Sequence, residues 1–358
     1  MTLRQFARGI KQIPVATSWY LAALGEAKGK QDLFTKQSPQ KLKLLREHAL
    51  IESAVSSNRI EGVTIDRRRI GTVVFGRARL RDRDEAEIRG YRDALTLIHS
   101  RGAALPISEE TMLRLHRLAH RAADAGRYKD RDSDIIERSP VGRVRIRFKT
   151  MPARQTPAAM RELIDGWSRS LREQWIHPLI AMAAMNLDFL CVHPFRDGNG
   201  RVSRLLLLLQ CYHLGFEAGR YISLERLIEE NKERYYETLE ESSARWHEGK
   251  HDPWPYIHFL LFILSSAYRE FESRVGELHS PKGAKAEIVL NAIREQPADF
   301  RLIDIERICP GVSREWIRKL ISQLRTNGEI GCRGRGPAAR WRRTNKQPGK
   351  PSKGRKPK

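Results

Sequence analysis

The sequence predicts a mainly α-helical protein: a helical bundle carrying one β-hairpin, followed by a small winged helix-turn-helix. Three observations predict it. Apolar residues recur at helical spacing through most of the first 280 or so positions, one stretch at 134–150 alternates β-branched residues instead, and the pattern after Gly283 changes to three short helices and two short strands. The chain has 358 residues, enough for two or three domains. They are expected as an N-terminal helical region at 1–105, a core at 106–275, the winged unit at 283–343 and a basic, disordered tail at 344–358.

In order along the chain, Ser38 and Pro39 read as N-cap and first turn of a helix at about 39–61, with Leu44, Ile51 and Val55 on one face and Gly62 ending it. Helices follow at 86–100 and 107–124. The 134–150 hairpin turns at Ser139-Pro-Val-Gly142, and further helices are expected at 156–174, 177–191, 202–214, 223–244 and 254–278. The C-terminal unit reads as helices at 284–296, 301–308 and 313–327, a Cys309-Pro-Gly turn before the last, and a two-stranded wing over 329–343.

Composition narrows the environment. The formal charge is +23, and from Pro281 onward 20 Lys/Arg face 7 Asp/Glu, so an excess of 13 sits on the last 78 residues. Such a segment attracts polyanions. Cys191, Cys211, Cys309 and Cys332 are widely spaced and form no CxxC, which fits a reducing cytoplasm rather than a disulfide framework or a zinc site. The apolar runs at 205–209 and 256–264 are too short to span a bilayer, so no membrane partner is expected.

The chemistry concentrates in His193-Pro-Phe-Arg-Asp-Gly-Asn-Gly-Arg-Val-Ser-Arg204. Gly198 and Gly200 flank Asn199 just before an apolar helix, a place where successive backbone N–H groups form an anion nest reinforced by the helix dipole. Asp197, directly before the nest, suits Mg²⁺ bridging phosphate oxygens. Arg201 and Arg204 lie three apart, on one helical face, within reach of phosphates. His116 and His120 have the i, i+4 spacing of a metal pair, but Arg117 stands where a zinc protease needs Glu and no third ligand is apparent. Glu61, at a helix C-terminus against the macrodipole, wants a nearby cation.

The segment resembles the Fic family signature, H-x-F-x-[D/E]-G-N-[G/K]-R-x-x-R, with every specified position filled by His193, Phe195, Asp197, Gly198, Asn199, Gly200, Arg201 and Arg204. The resemblance extends over roughly 10–275 through Ser57-x-x-x-Glu61-Gly62, the hairpin and Asn231-Lys-Glu-Arg-Tyr235-Tyr236. It implies ATP and Mg²⁺ as ligands. His193 would take the proton of a Ser, Thr or Tyr hydroxyl on a protein target, the chain itself included, and the oxygen would displace pyrophosphate from the α-phosphorus. Gly200, rather than Lys, implies AMP transfer rather than phosphotransfer. Phe195 would anchor the loop, Asn199 and Gly198 would help hold nucleotide, and Tyr236 with Tyr235 would border the adenine or else belong to the core, as would Asn231. By the same resemblance Glu61, steadied by Ser57, pairs with Arg204 and obstructs the γ-phosphate. The hairpin edge would receive the target segment by strand addition.

In the winged unit Ile317, Leu320, Ile321 and Leu324 face inward, leaving Arg314, Arg318, Lys319, Ser322 and Arg325 on other faces, with Arg333-Gly-Arg335 as the wing tip. Winged helices also dock proteins, and the charge excess favours DNA. Two rival functions stay open: a DNA-binding transcription regulator whose Fic domain senses nucleotide, and another Fic-type reaction such as phosphotransfer or AMP removal. A homodimer is an admissible assembly.

Overall fold

The computed structural model describes residues 1–9, 12–35, 39–76, 79–138, 144–277, 284–294, 296, 299–309, 312–334, 336 and 339–344. The chain divides into two units, Met1–Val275 and Gly276–Lys358. Helices of the first are α1 (Thr2–Ala7), α2 (Val15–Thr35), α3 (Pro39–Ile60), α4 (Ile70–Phe75), α5 (Arg83–Arg101), α6 (Glu109–Ala119), α7 (Thr156–Arg172), α8 (Pro178–Val192), α9 (Asn199–His213), α10 (Leu224–Glu230), α11 (Lys232–Ser243) and α12 (Trp254–Glu277). Strands β1 (Ile135–Arg138) and β2 (Val144–Phe148) pair antiparallel, with Ile136 opposite Ile146. The expected turn residues 139–142 lie outside the described residues, as does the N-cap Ser38.

Helices α8 and α9 sit at the centre. Every residue of α8 from Leu179 to Val192 is buried, the signature of a helix packed on all sides. Pro178 occupies its first turn, where the missing N–H costs nothing, and the Leu179 N–H donates to His177 Nδ1 at 3.2 Å. Helix α7 packs on α8, and α5 and α6 pack on α9. Asp188, buried in mid-α8, accepts from the Thr2 N–H (2.7 Å), Thr2 Oγ1 (2.8 Å), the Leu3 N–H (3.1 Å) and Trp246 Nε1 (2.6 Å), which ties α1 to the same core.

Several expectations are corrected. Helix α3 buries Leu42, Leu45, Ala49, Ala54, Val55 and Ile60, while Leu44 and Ile51, expected on the inward face with Val55, are only half-buried. Gly62 does end it, in the left-handed conformation at φ 85°. Helix α6 stops at Ala119 rather than 124, α9 begins at Asn199 rather than 202, and the predicted 223–244 helix breaks in two at Asn231. There the Asn231 side chain donates to the Leu227 carbonyl (2.9 Å).

The second unit holds α13 (Ala284–Arg294), β3 (Asp299–Arg301), α14 (Leu302–Ile308), α15 (Arg314–Thr326), β4 (Ile330–Arg333) and β5 (Arg340–Arg343). Its sheet has the antiparallel order β3-β5-β4. The third strand was not expected, since three residues are too few to show alternation. Phe300 of β3 nonetheless joins Val289, Ile293, Ile305, Ile317, Ile321, Leu324 and Ile330 in the core, and Arg342 of β5 makes two bonds to Asp299, at 2.8 and 2.9 Å. Pro310, Gly311 and the tail from 345 lie outside the described residues.

Candidate functional site

The loop between α8 and α9 is built around two anchors. Phe195 is fully buried and stacks on the His116 ring at 3.8 Å and 10°. Asn199 closes the loop by accepting from the Phe195 N–H (2.9 Å) and donating to the Phe195 carbonyl (2.8 Å). Its side-chain amide is thus turned inward. His116 and His120 are likewise loop supports. The Gly126 N–H donates to His116 Nδ1 (2.9 Å), which leaves Nε2–H to donate to the Asp197 carbonyl (3.0 Å). Burial holds the His116 pKa down to about 4, so this ring is neutral.

His193 ends α8 in the left-handed conformation, φ 53° and ψ 62°, an arrangement that costs a non-glycine residue about 1 kcal/mol. Its N–H bonds the Phe189 carbonyl (2.9 Å), and its Nδ1 lies 3.2 Å from the Leu190 carbonyl. A carbonyl only accepts, so Nδ1 carries the proton and Nε2 the lone pair. Burial is the main cause that pulls the His193 pKa down to about 4, with the nearby Lys129 acting in the same direction. Lys129 is itself buried, donates to Thr150 Oγ1 (2.7 Å) and the Val192 carbonyl (3.3 Å), and has its pKa lowered by burial to about 8. No sequence signal marks it, since its partners come from two distant segments, at Thr150 and Val192.

The two signature arginines diverge. Arg201 is 1% exposed and donates Nη1 to Glu87 Oε2 (2.7 Å) and to the Ala119 carbonyl (3.3 Å), on the α5–α6 side. It is therefore not the open phosphate ligand expected from i, i+3 spacing. Arg204 turns to α3: Nε donates to Ser57 Oγ (2.9 Å), and Nη2 to the Ser57 carbonyl (2.9 Å) and to Glu61 Oε1 (2.8 Å). Burial is the largest influence and opposes the Arg204 charge, but Glu61, Tyr235 and Tyr91 together favour it, and the pKa lies above the ordinary arginine value. The buried Nη1 has no hydrogen-bond partner, an opening for one more acceptor. Helix α3 is pinned for this contact by Ser53 Oγ on Glu225 (2.7 Å), with Tyr91 on the same carboxylate (3.0 Å), and by Lys232 Nζ on the Ile60 carbonyl (3.0 Å).

Gly200 explains why Glu61 fits. A Cβ there would meet Glu61 Oε1 at 2.2 Å, so the carboxylate occupies the hollow that the missing side chain leaves at the start of α9. An anion already sits where the helix N-terminus would receive one. Glu61, His193, Gly200, Arg196, Tyr235 and Tyr236 border a single cavity of about 300 Å³ that extends under the hairpin to Phe148 and Ser243. Tyr235 is buried against Tyr256 and Phe259, whereas Tyr236 is half-buried at the cavity with the Arg147 guanidinium 5.4 Å from its ring.

Asp197 is 54% exposed, and Oδ1 accepts from the Gly198 N–H (2.6 Å). Among the described residues no group of three His, Cys, Asp or Glu could hold a metal. One carboxylate beside an anion cradle fits Mg²⁺ completed by water and phosphate oxygens, and does not fit a structural transition-metal site. In the second unit Arg314, Arg318, Lys319 and Arg333 are all exposed, and Arg314 also pairs with Glu306 (3.0 Å). Arg335 lies outside the described residues.

This helical bundle resembles a Fic-type domain: residues 106–211, which hold the α8–α9 loop, match the model of the Fic/DOC family. A curated relative, the protein adenylyltransferase Fic of Nematostella vectensis, is 24% identical over 178 residues, 48% of this chain and 39% of the relative. The match therefore spans well under half of that relative's length. Among solved structures, a Fic family protein from Desulfovibrio desulfuricans has a TM-score of 0.61 at 24% identity, over 94% of this chain and 98% of its own. A Fic domain containing signaling protein from Bacteroides thetaiotaomicron scores 0.59 at 20%, over 71% and 98%. Fic-1 from C. elegans scores 0.56 at 21%, over 75% and 76%. At these identities the structures speak for the fold alone. Among the described residues no helix is long and apolar enough to cross a membrane.

Proposed function

We propose that the chain is a protein adenylyltransferase, moving AMP from ATP to a hydroxyl of a protein, and that Glu61 holds it in an inhibited state. The observation that carries this reading is the convergence on one cavity of a neutral His193, with Nε2 available, and the Gly200 anion hollow closed by Glu61. His193 Nε2 accepts the hydroxyl proton as the oxygen bonds to the α-phosphorus, and the bond from that phosphorus to the β-phosphate oxygen breaks. Pyrophosphate leaves. A positioned base of this kind contributes about 10² to 10⁴ in rate. Asp197 would hold Mg²⁺, which when bound neutralises phosphate charge. Arg204, once freed of Glu61, offers Nη1 and Nη2 to the γ-phosphate, Arg201 braces the loop from behind, and Tyr236 lines the space left for the base.

The test is the position of the label. With ATP labelled at the α-phosphate, the Glu61→Gly chain should label protein; with γ-label it should not. Labelling from γ alone would replace AMP transfer by phosphotransfer, and labelling from neither would favour a nucleotide sensor.

A second reading concerns the C-terminal unit. We propose that it is a winged helix that binds DNA, a reading favoured by a groove of about 590 Å³ bordered by Arg301, Arg314, Arg318 and Arg325 beside β4 and β5. Its test is retention of duplex DNA that weakens with salt.

A further inference from the structure

Four side chains at the edge of the loop form a closed ring of alternating charge. Arg83 Nε contacts Glu87 Oε1 (2.7 Å), and Glu87 Oε2 contacts Arg201 Nη1 (2.7 Å). Arg201 Nη2 then lies 3.6 Å from Asp197 Oδ1, and Asp197 Oδ2 lies 3.6 Å from Arg83 Nη2. The two halves differ. Glu87 and Arg201 have side chains only 3% and 2% exposed and meet at a charge-assisted distance. Arg83 and Asp197 are 61% and 54% exposed, and both links to Asp197 are too long for strong hydrogen bonds. The buried half is fixed, and the exposed half is held loosely.

We infer that Arg83, on the first turn of α5, is a polyphosphate-binding residue that receives the pyrophosphate portion of ATP. The inference rests on the AMP-transfer reading and adds to it a side chain outside residues 106–211, where the family match lies. In an in-line displacement the leaving oxygen departs on the side of phosphorus opposite the attacking oxygen. The attacking oxygen is next to His193, so the leaving group lies on the far side, at Gly200, Arg204 and Asp197. Arg196 lines the cavity with His193 and Gly200, and three further guanidinium groups, those of Arg201, Arg204 and Arg83, stand at Gly200 and Asp197. Arg201 is enclosed and spent on Glu87 and the Ala119 carbonyl, and Arg204 is anchored by Ser57. Of these three, Arg83 is the exposed one.

Its tether makes the role specific. Glu87, one turn on, holds Nε, and this aims the remaining nitrogens at Asp197 and the cradle that follows it. A cation on Asp197 competes for the carboxylate that Arg83 now faces, and the β- and γ-phosphate oxygens supply Nη2 with a stronger acceptor than one 3.6 Å away. As the bond to the α-phosphorus breaks, charge builds on the pyrophosphate and Arg83 offsets it without any proton transfer.

The experiment measures binding by calorimetry in the Glu61→Gly chain with Mg²⁺, using ATP, pyrophosphate and AMP, for Arg83, Arg83→Lys and Arg83→Gln. Loss of one charge-assisted contact to phosphate should weaken ATP and pyrophosphate about tenfold in Arg83→Gln, leave AMP within about twofold, and be partly restored in Arg83→Lys. Equal weakening of all three ligands would mark Arg83 as a packing residue, and no change in any would remove it from the site; either result overturns the inference. A Glu61→Gly chain with Arg83 intact that binds AMP but neither ATP nor pyrophosphate would also overturn it. Failure to bind any of the three would take down the AMP-transfer reading first.

Discussion

Arg204 donates three hydrogen bonds to α3 and the residue that follows it, two to Ser57 and one to Glu61. The contacts divide the labour: Ser57 fixes the guanidinium, and Glu61 covers the nitrogen a phosphate would use. Replacing Glu61 by Gly should therefore raise nucleotide binding and AMP incorporation, while Glu61→Asp, shorter by one methylene, should do so partly; titration calorimetry checks both. Ser57→Ala leaves Arg204 Nε buried without its partner, which should cost about 1–3 kcal/mol of stability and lower ATP affinity even in the Glu61→Gly chain. Denaturant unfolding measures the first effect. His193 acts as a base only when neutral, and its pKa of about 4 keeps it so above about pH 5. The single-turnover rate of the Glu61→Gly chain should thus be insensitive to this group from pH 6 to 8 and fall as pH drops through about 4. A fall beginning near 6.5 would mean that the ring is not desolvated.

At the scale of elements, the loop joining α8 to α9 owes its shape to side chains that do not touch the cavity. Asn199 satisfies both backbone groups of Phe195, and His116 stacks beneath that ring. Asn199→Ala should leave the Phe195 N–H and carbonyl unpaired in the core, lower the melting temperature by several degrees and weaken ATP binding. Unchanged melting would show that the loop is held elsewhere. The sequence made the sites of His193, Asp197, Glu61 and Arg204 legible because a short contiguous motif and a helix-end carboxylate carry their own physics. It does not show how Asn199, Arg201 and His116 are engaged, because their partners, Phe195, Glu87 and again Phe195, are set by packing and not by spacing. Arg201 and Arg204 do share a helical face in projection, yet Glu87 of α5 draws one away and Ser57 of α3 the other. Lys129 had no local signal at all. Most helices were legible from apolar periodicity, whereas β3 and the break at Asn231 depend on contacts that a three-residue or one-residue window does not contain.

Across the whole molecule, buried neutral histidines couple stability to pH. Burial lowers His99 to about 3 and His116 and His193 to about 4, against 6.5 for the unfolded chain. Between pH 6.5 and about 4 the unfolded chain binds more protons than the folded one, so stability falls as pH falls through that window, by up to about 1.4 kcal/mol per pH unit for each such histidine. Denaturant midpoints of the full chain at pH 7, 6, 5 and 4 should decrease in that order; a flat series would contradict these shifts. The charge of the second unit belongs to the same scale. Duplex DNA binding by the full chain should weaken steeply with salt, at a log-log slope near −0.9 per phosphate contact, and Arg314→Ala with Arg318→Ala should remove preference among sequences. No retention of mixed duplexes at about 50 mM salt would leave the unit as a protein-docking module.

The central claim, a transferase whose cradle is closed by its own glutamate and whose base is His193, is tested most directly by the intact mass of protein after incubation with Mg²⁺ and ATP. The account predicts added adenylyl groups on the chain or on an added target with Glu61→Gly, far fewer with Glu61 present, and none when His193→Ala is combined with Glu61→Gly. Adenylyl addition that persists without His193, or a Glu61→Gly chain that gains phosphoryl groups instead, would contradict it.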